Sequence, residues 1–195
     1  MRAVLAWGAL ACLLVVPVVV AAGSPYLPGR GVAYVTAAFA GIAALGLLLV
    51  QPLLAGGHLP GVRCAVARRW HRWTGAALVV AVLLHVGGLY LTSPPDALDA
   101  LLLVSPTPFS VYGVIGLWSV VATALLVALR RRMGVRPSVW NVLHNALAVV
   151  VVGASIVHAL MIEGLMGTAS KWALCLAALV ATAVVIVRLR FLRAR

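Results

Sequence analysis

Acidic side chains are nearly missing from this sequence: Asp96, Asp99 and Glu163 stand against 15 Lys and Arg. Charged residues of either sign make up only 9% of the 195, while 65% are hydrophobic and the mean hydropathy is +1.16. A chain so poor in charge cannot clothe a soluble domain, whose apolar share is ordinarily far lower. Cysteine is scarce too, and Cys12, Cys64 and Cys175 fall in different segments with no metal-ligand or redox spacing. A Gly-rich phosphate loop of the G-x-G-x-x-G type is missing, which excludes that route to dinucleotide binding.

What the chain has instead is apolar length. Crossing ~30 Å of hydrocarbon takes about 20 helical residues, and six runs are long enough: 3–22, 32–54, 73–92, 109–129, 139–162 and 171–188. Breakers separate them, among them "GSPYLPGRG", "QPLLAGGHLPG", "TSPPD", "SPTPF" and "GVRPS". The expected fold is an all-α integral membrane bundle of six transmembrane helices. Residues 1–195 form one domain in this reading, and almost nothing remains for a soluble one. The first run begins at Arg2 and ends in "VVVAAGS", as a signal peptide does. Its apolar stretch exceeds the roughly 7 to 15 residues of a signal h-region, so a retained helix is expected.

A formal charge of +12 suggests nucleic acid in a soluble protein, but here position decides its meaning. Arg2, then Arg63, Arg68, Arg69 and Arg72, then Arg130, Arg131, Arg132 and Arg136, then Arg188, Arg190, Arg193 and Arg195 all fall on one side of six spans. Only Arg30 and Lys171 fall on the other, together with the three acids. The positive-inside rule makes the basic side cytoplasmic, places both termini there, and leaves no call for nucleic acid. Trp70, Trp73 and Trp140 mark that boundary, and Tyr26, Tyr90 and Trp172 the outer one, as an aromatic belt. The third connection, "DALDALLLV", reads either as a short amphipathic surface segment or as plain loop.

Two stretches carry the chemistry. "RRWHRWTGAALVVAVLLHVGG" holds His71 and His85, and "WNVLHNALAVVVVGASIVHALMIEG" holds His144 and His158, each pair fourteen residues apart. At about 100° per residue that spacing is roughly 40° short of four turns, so both histidines of a span face one way, about 21 Å apart along the axis. The third and fifth spans run parallel, so His71 and His144 share one depth and His85 and His158 another. Ionisable groups in a bilayer are functional candidates by default, and neutral imidazole is a common metal ligand. Zinc needs four ligands at one place, whereas these come as two twos with no Cys, Asp or Glu at either depth. Haem iron needs two, on opposite faces of a ring that fills the other positions. Gly75, Ala81, Ala148 and Ala154 are small residues beside the histidines, with Leu78 and Val151 at the midpoints. Small residues leave room for ring faces, and equally serve close helix approach. No C-x-x-C-H offers covalent attachment, so any haem is b-type. His58, in the second connection, reads as an ordinary loop histidine. The arginines Arg68, Arg69, Arg72, Arg131 and Arg132 could meet haem propionates, but topology already explains them.

With these residues in hand, the chain resembles the ferric reductase-like transmembrane domain family of six-helix haem b cytochromes. "RWHRWTGAALVVAVLLH" and "LHNALAVVVVGASIVHALMIEG" are similar to the family's third and fifth helices. The resemblance implies electron transfer across the membrane through two bis-histidine haems, His71 with His144 and His85 with His158 as iron ligands. Eukaryotic ferric reductases and NADPH oxidases of this superfamily append a cytosolic FAD and NADPH domain, for which these 195 residues have no counterpart. The size is closer to stand-alone bacterial members, including the subunit that feeds a periplasmic methionine sulfoxide reductase. The expectation is therefore an electron-transfer subunit of the inner (plasma) membrane. Its donor is a separate flavoprotein or quinol, and its acceptor lies on the outer face. Two other readings stay open. The chain is itself a ferric reductase, with a ferric chelate docking near Asp96, Asp99 and Glu163; or it is a haem-free transporter or assembly factor whose histidines bind protons or metal.

Overall fold

The computed structural model describes residues 1–193, with side chains through Arg188. The side chains of Arg190 and Arg193, and all of Arg195, which the charge argument assigned to the basic side, lie outside the described residues. Seven helices follow one another: α1 (Arg2–Ala22), α2 (Val32–Ala55), α3 (Cys64–Thr92), α4 (Pro94–Leu101), α5 (Pro108–Met133), α6 (Pro137–Met161) and α7 (Thr168–Arg193). Six are long and apolar enough to cross a membrane, and no strand occurs among the described residues. This is a multi-pass, six-helix membrane protein.

Prolines start three of the helices, at the first position, where the missing N–H costs nothing. Gly134 ends α5 in the left-handed conformation, φ 56°, that suits glycine after a helix. The third connection resolves as α4, where Ser93 Oγ donates to Asp96 Oδ2 at 2.6 Å and so engages one of the three acids locally. One boundary differs from the hydropathy reading in a way that matters. Helix α3 begins at Cys64, nine residues before the apolar run, because Ala and Arg favour helix as well as leucine does. Its 29 residues span about 43 Å, so His71, just outside the apolar run, lies on the same helix as His85, as the fourteen-residue spacing assumes.

Packing divides the bundle into two antiparallel hairpins, α2 with α3 and α5 with α6. Helix α7 bridges them by packing on both α2 and α6, and α1 covers α2 and α7. Helices α3 and α6 have hardly any backbone contact and meet through side chains. The core gathers Leu45, Leu48 and Leu49 of α2, Leu78 and Ala81 of α3, Val151 and Val152 of α6, and Leu174, Cys175 and Ala178 of α7. Outward faces of α1, α3 and α6 carry exposed Val and Leu, the surface a hydrocarbon solvent requires. The two cations on the sparsely charged side are held locally. Arg30 lies over the Tyr34 ring at 4.7 Å, and Lys171 Nζ donates to the Ile162 carbonyl, just beyond α6.

Lipid offers no hydrophobic drive for helix association, so close contact between small residues carries it. Gly88 is the tightest such point in the first hairpin: a Cβ there would lie 2.7 Å from Ala33 O and 2.9 Å from Ala37 Cβ. Its neighbour Gly87 has nothing within 4 Å. Gly88→Ala should therefore destabilise the purified protein by about 1–3 kcal/mol through overpacking, while Gly87→Ala should leave it unchanged or raise it by up to about 1 kcal/mol through helix propensity. Thermal unfolding in detergent checks the pair, and equal effects would contradict this packing.

Candidate functional site

Each histidine is delivered by a long helix, and the structure brings the four together in two levels. His71 of α3 lies beside His144 of α6 with ring centroids 6.3 Å apart and planes at 76°. His85 and His158 repeat the arrangement at 6.4 Å and 80°. All four side chains are partly buried. No group of three or more His, Cys, Asp or Glu side chains able to hold a metal occurs among the described residues, so the four imidazoles come as two pairs.

The rings are oriented by carbonyls on the hairpin partner. His85 Nδ1 bonds Ala37 O of α2 at 2.8 Å, His158 Nδ1 bonds Phe109 O of α5 at 2.8 Å, and His71 Nδ1 bonds Gln51 O of α2 at 3.3 Å. A carbonyl only accepts, so in each case Nδ1 carries the proton and Nε2 keeps its lone pair. Gln51 also donates through Nε2 to His71 O at 3.3 Å and to Thr74 Oγ1 at 3.0 Å, tying α2 to that turn of α3. His144 is different. Its Nδ1 is buried without a partner, and its ring stacks on Trp140, centroids 4.9 Å apart and planes 8° from parallel. Arg130 Cζ lies 4.1 Å over the same Trp140 ring.

Glycines admit the rings at the His85 and His158 level. A Cβ at Gly41 would come within 2.8 Å of His85 Nδ1, and one at Gly113 within 2.8 Å of His158 Nδ1. Each glycine is four residues after the carbonyl its histidine bonds, Ala37 and Phe109 respectively. The two hairpins thus repeat one device: a carbonyl, a glycine one turn later, and a histidine whose ring passes over the glycine to reach the oxygen. Ala81 and Ala154 are buried, as are the midpoint residues Leu78 and Val151. Gly75 faces α2, where a Cβ would touch Gln51 Nε2 at an ordinary 3.4 Å.

Sequence reasoning missed the orienting residues Ala37, Gly41, Gln51, Phe109 and Gly113. Comparing the second and third spans jointly against the fourth and fifth would have found the glycines, since the bonded pairs are 48 and 49 residues apart. Trp140, read as a belt residue, is also half-buried and stacked against His144. His58 is not a free loop residue either: Arg188 Nη1 donates to its Nε2 at 3.0 Å, joining the second connection to α7.

The centroid separations are informative. Metal–nitrogen bonds of about 2.0 Å on opposite sides of one ion, with nitrogen-to-centroid distances of about 1.2 Å, put two imidazole centres about 6.4 Å apart. Both levels have that spacing. Three of the four imidazoles have Nδ1–H anchored on a carbonyl, which is also the arrangement by which proteins orient histidine ligands. The residues therefore fit a metal that brings its own equatorial ligands.

The fold and site define a helical membrane protein with two stacked imidazole pairs. The family model described as ferric reductase like transmembrane component matches residues 40–155, more than half of the chain. The chain belongs to that family. The matched stretch runs from α2 into α6 and contains His71, His85 and His144; His158 lies three residues beyond it. No curated protein and no solved structure matches the chain.

The hydrogen bonds commit three histidines to one tautomer. Side-chain nitrogen NMR of the histidine-labelled protein, prepared without added metal, should show His71, His85 and His158 neutral with the proton on Nδ1. Gly41→Val should remove that signature from His85 and leave His158 unchanged. Protonation on Nε2 in the parent protein would contradict the orientation of the rings.

Proposed function

We propose that this protein carries electrons across a membrane through two b-type haems. His71 and His144 hold one, and His85 and His158 the other. The observation that carries this reading is the pair of equal spacings, 6.3 and 6.4 Å, each with Nδ1–H anchored where a carbonyl is offered. Membership of the ferric reductase-like family supports an electron-transfer or reductase role.

Bound haem supplies a one-electron iron couple at each level. The chain's own contribution is orientation and seclusion. The carbonyls of Gln51, Ala37 and Phe109 hold Nδ1–H and aim Nε2 at the gap between α3 and α6. Leu78, Ala81, Val151 and Ala154 keep the space between the levels apolar. Gly41 and Gly113 let the rings sit deep in their hairpins.

Charge placement sets the direction. Ten of the twelve basic residues with described side chains lie at the His71 and His144 end, so by the positive-inside rule that end faces the cytoplasm of the inner membrane in this reading, with both termini there. Electrons enter at His71 and His144 and leave at His85 and His158. The donor in this reading is a flavoprotein or a quinol. The acceptor is a periplasmic reductase or a ferric chelate on the outer face.

Protein purified from haem-replete cells should carry about two haems by the pyridine haemochrome assay. His85→Ala and His158→Ala should remove the same haem, and His71→Ala and His144→Ala the other. In sealed vesicles of known orientation, His144→Ala should abolish reduction of an impermeant external acceptor by a donor inside. A haem content of zero, or loss patterns that pair His71 with His158, would refute the assignment.

A further inference from the structure

The four imidazoles are not equivalent, and the difference is concentrated at one of them. At the outer level both rings have Nδ1–H bonds of 2.8 Å to carbonyls. At the level nearer the basic face, His71 has a longer bond of 3.3 Å and His144 has none, although its Nδ1 is buried. What orients His144 is a stack. Trp140 lies parallel to it, and Arg130 Cζ sits 4.1 Å over the Trp140 ring.

Each feature has an electronic consequence for a metal on Nε2. An imidazole that donates its distal N–H is a more basic ligand and stabilises the more highly charged metal. Withholding that bond from His144 favours the reduced metal. A guanidinium one aromatic ring away from the ligand has the same effect, since a fixed positive charge opposes the oxidised state. The effects add. Trp140 also blocks the ring from rotating to find a partner for Nδ1.

We propose that Trp140 and Arg130 are positioning residues that hold the His71 and His144 haem at a higher reduction potential than the His85 and His158 haem. The proposal rests on the two-haem reading above and adds an order to it. An electron arriving from the basic face settles on the first level. Its onward step is uphill and is drawn out by the external acceptor, so the first level works as an electron store.

The test is a spectroelectrochemical titration of the purified holoprotein. The parent should show two one-electron steps. In His85→Ala the surviving step should be the upper one, and in His71→Ala the lower one. Arg130→Gln should lower the upper step, changing the reduced-to-oxidised ratio at fixed poise about tenfold, or about 59 mV for one electron, with the lower step unmoved. Arg130→Lys should restore most of the shift. Trp140→Leu should act like Arg130→Gln, and Trp140→Phe, which keeps the stack, should not. Arg130 is exposed, so its variants report even if Trp140→Leu fails to fold. Two haems with the order reversed, or an Arg130→Gln effect that is nil or equal on both steps, would overturn this proposal and leave the two-haem reading standing. A protein without haem would overturn both.

Discussion

A neutral imidazole in hydrocarbon presents two demands at once: its N–H needs an acceptor, and its bare nitrogen needs something to bind. The arrangement of this bundle follows from how the first demand is met. Main-chain carbonyls of α2 and α5 are already in use by their own helices, but each oxygen has a second lone pair. His71, His85 and His158 reach those lone pairs. That contact requires α2 to lie against α3 and α5 against α6, and at the His85 and His158 level it requires glycine where the ring crosses the helix. The hairpins are therefore inseparable from the orientation of the site. With Nδ1 engaged in those three rings, Nε2 is the nitrogen left to bind.

The same reasoning explains the division of labour among helices. Helices α2 and α5 supply oxygens and clearance, α3 and α6 supply imidazoles, and α7 joins the halves by packing on α2 and α6. Helix α1 adds cover. The asymmetry between levels follows from α5 ending in Arg130, Arg131 and Arg132 at the basic face. There Trp140 and Arg130 supply a stack in place of a hydrogen bond, so the two levels share a geometry but not an electrostatic setting.

Much of this was legible in the sequence. Six apolar runs announce six helices because bilayer thickness imposes a length, and the fourteen-residue spacing puts each histidine pair on one face because the helix period is fixed. Matched depth for His71 with His144, and for His85 with His158, needs only parallel spans. The rest depends on contacts between elements, which periodicity does not encode. Gly41 and Gly113 look like any small residue in a transmembrane helix until the ring above them is known. Trp140 satisfies the rule for interfacial aromatics and stacks on His144 as well. The start of α3 at Cys64 was hidden because hydropathy registers apolar length, whereas the exposed Arg68, Arg69 and Arg72 belong to the helix without adding to it. His58 was unreadable for a simpler reason: its partner, Arg188, is 130 residues away.

The central claim is that each pair of imidazoles shares one iron with its planes nearly perpendicular, 76° at one level and 80° at the other. Low-temperature electron paramagnetic resonance of the oxidised protein reads that angle directly. Perpendicular imidazole planes leave the iron orbitals nearly degenerate, so the account predicts strongly anisotropic low-spin signals from both haems. An ordinary rhombic low-spin spectrum would mean parallel planes, and a high-spin signal would mean an iron with one histidine. Either result would contradict the arrangement described for His71, His85, His144 and His158.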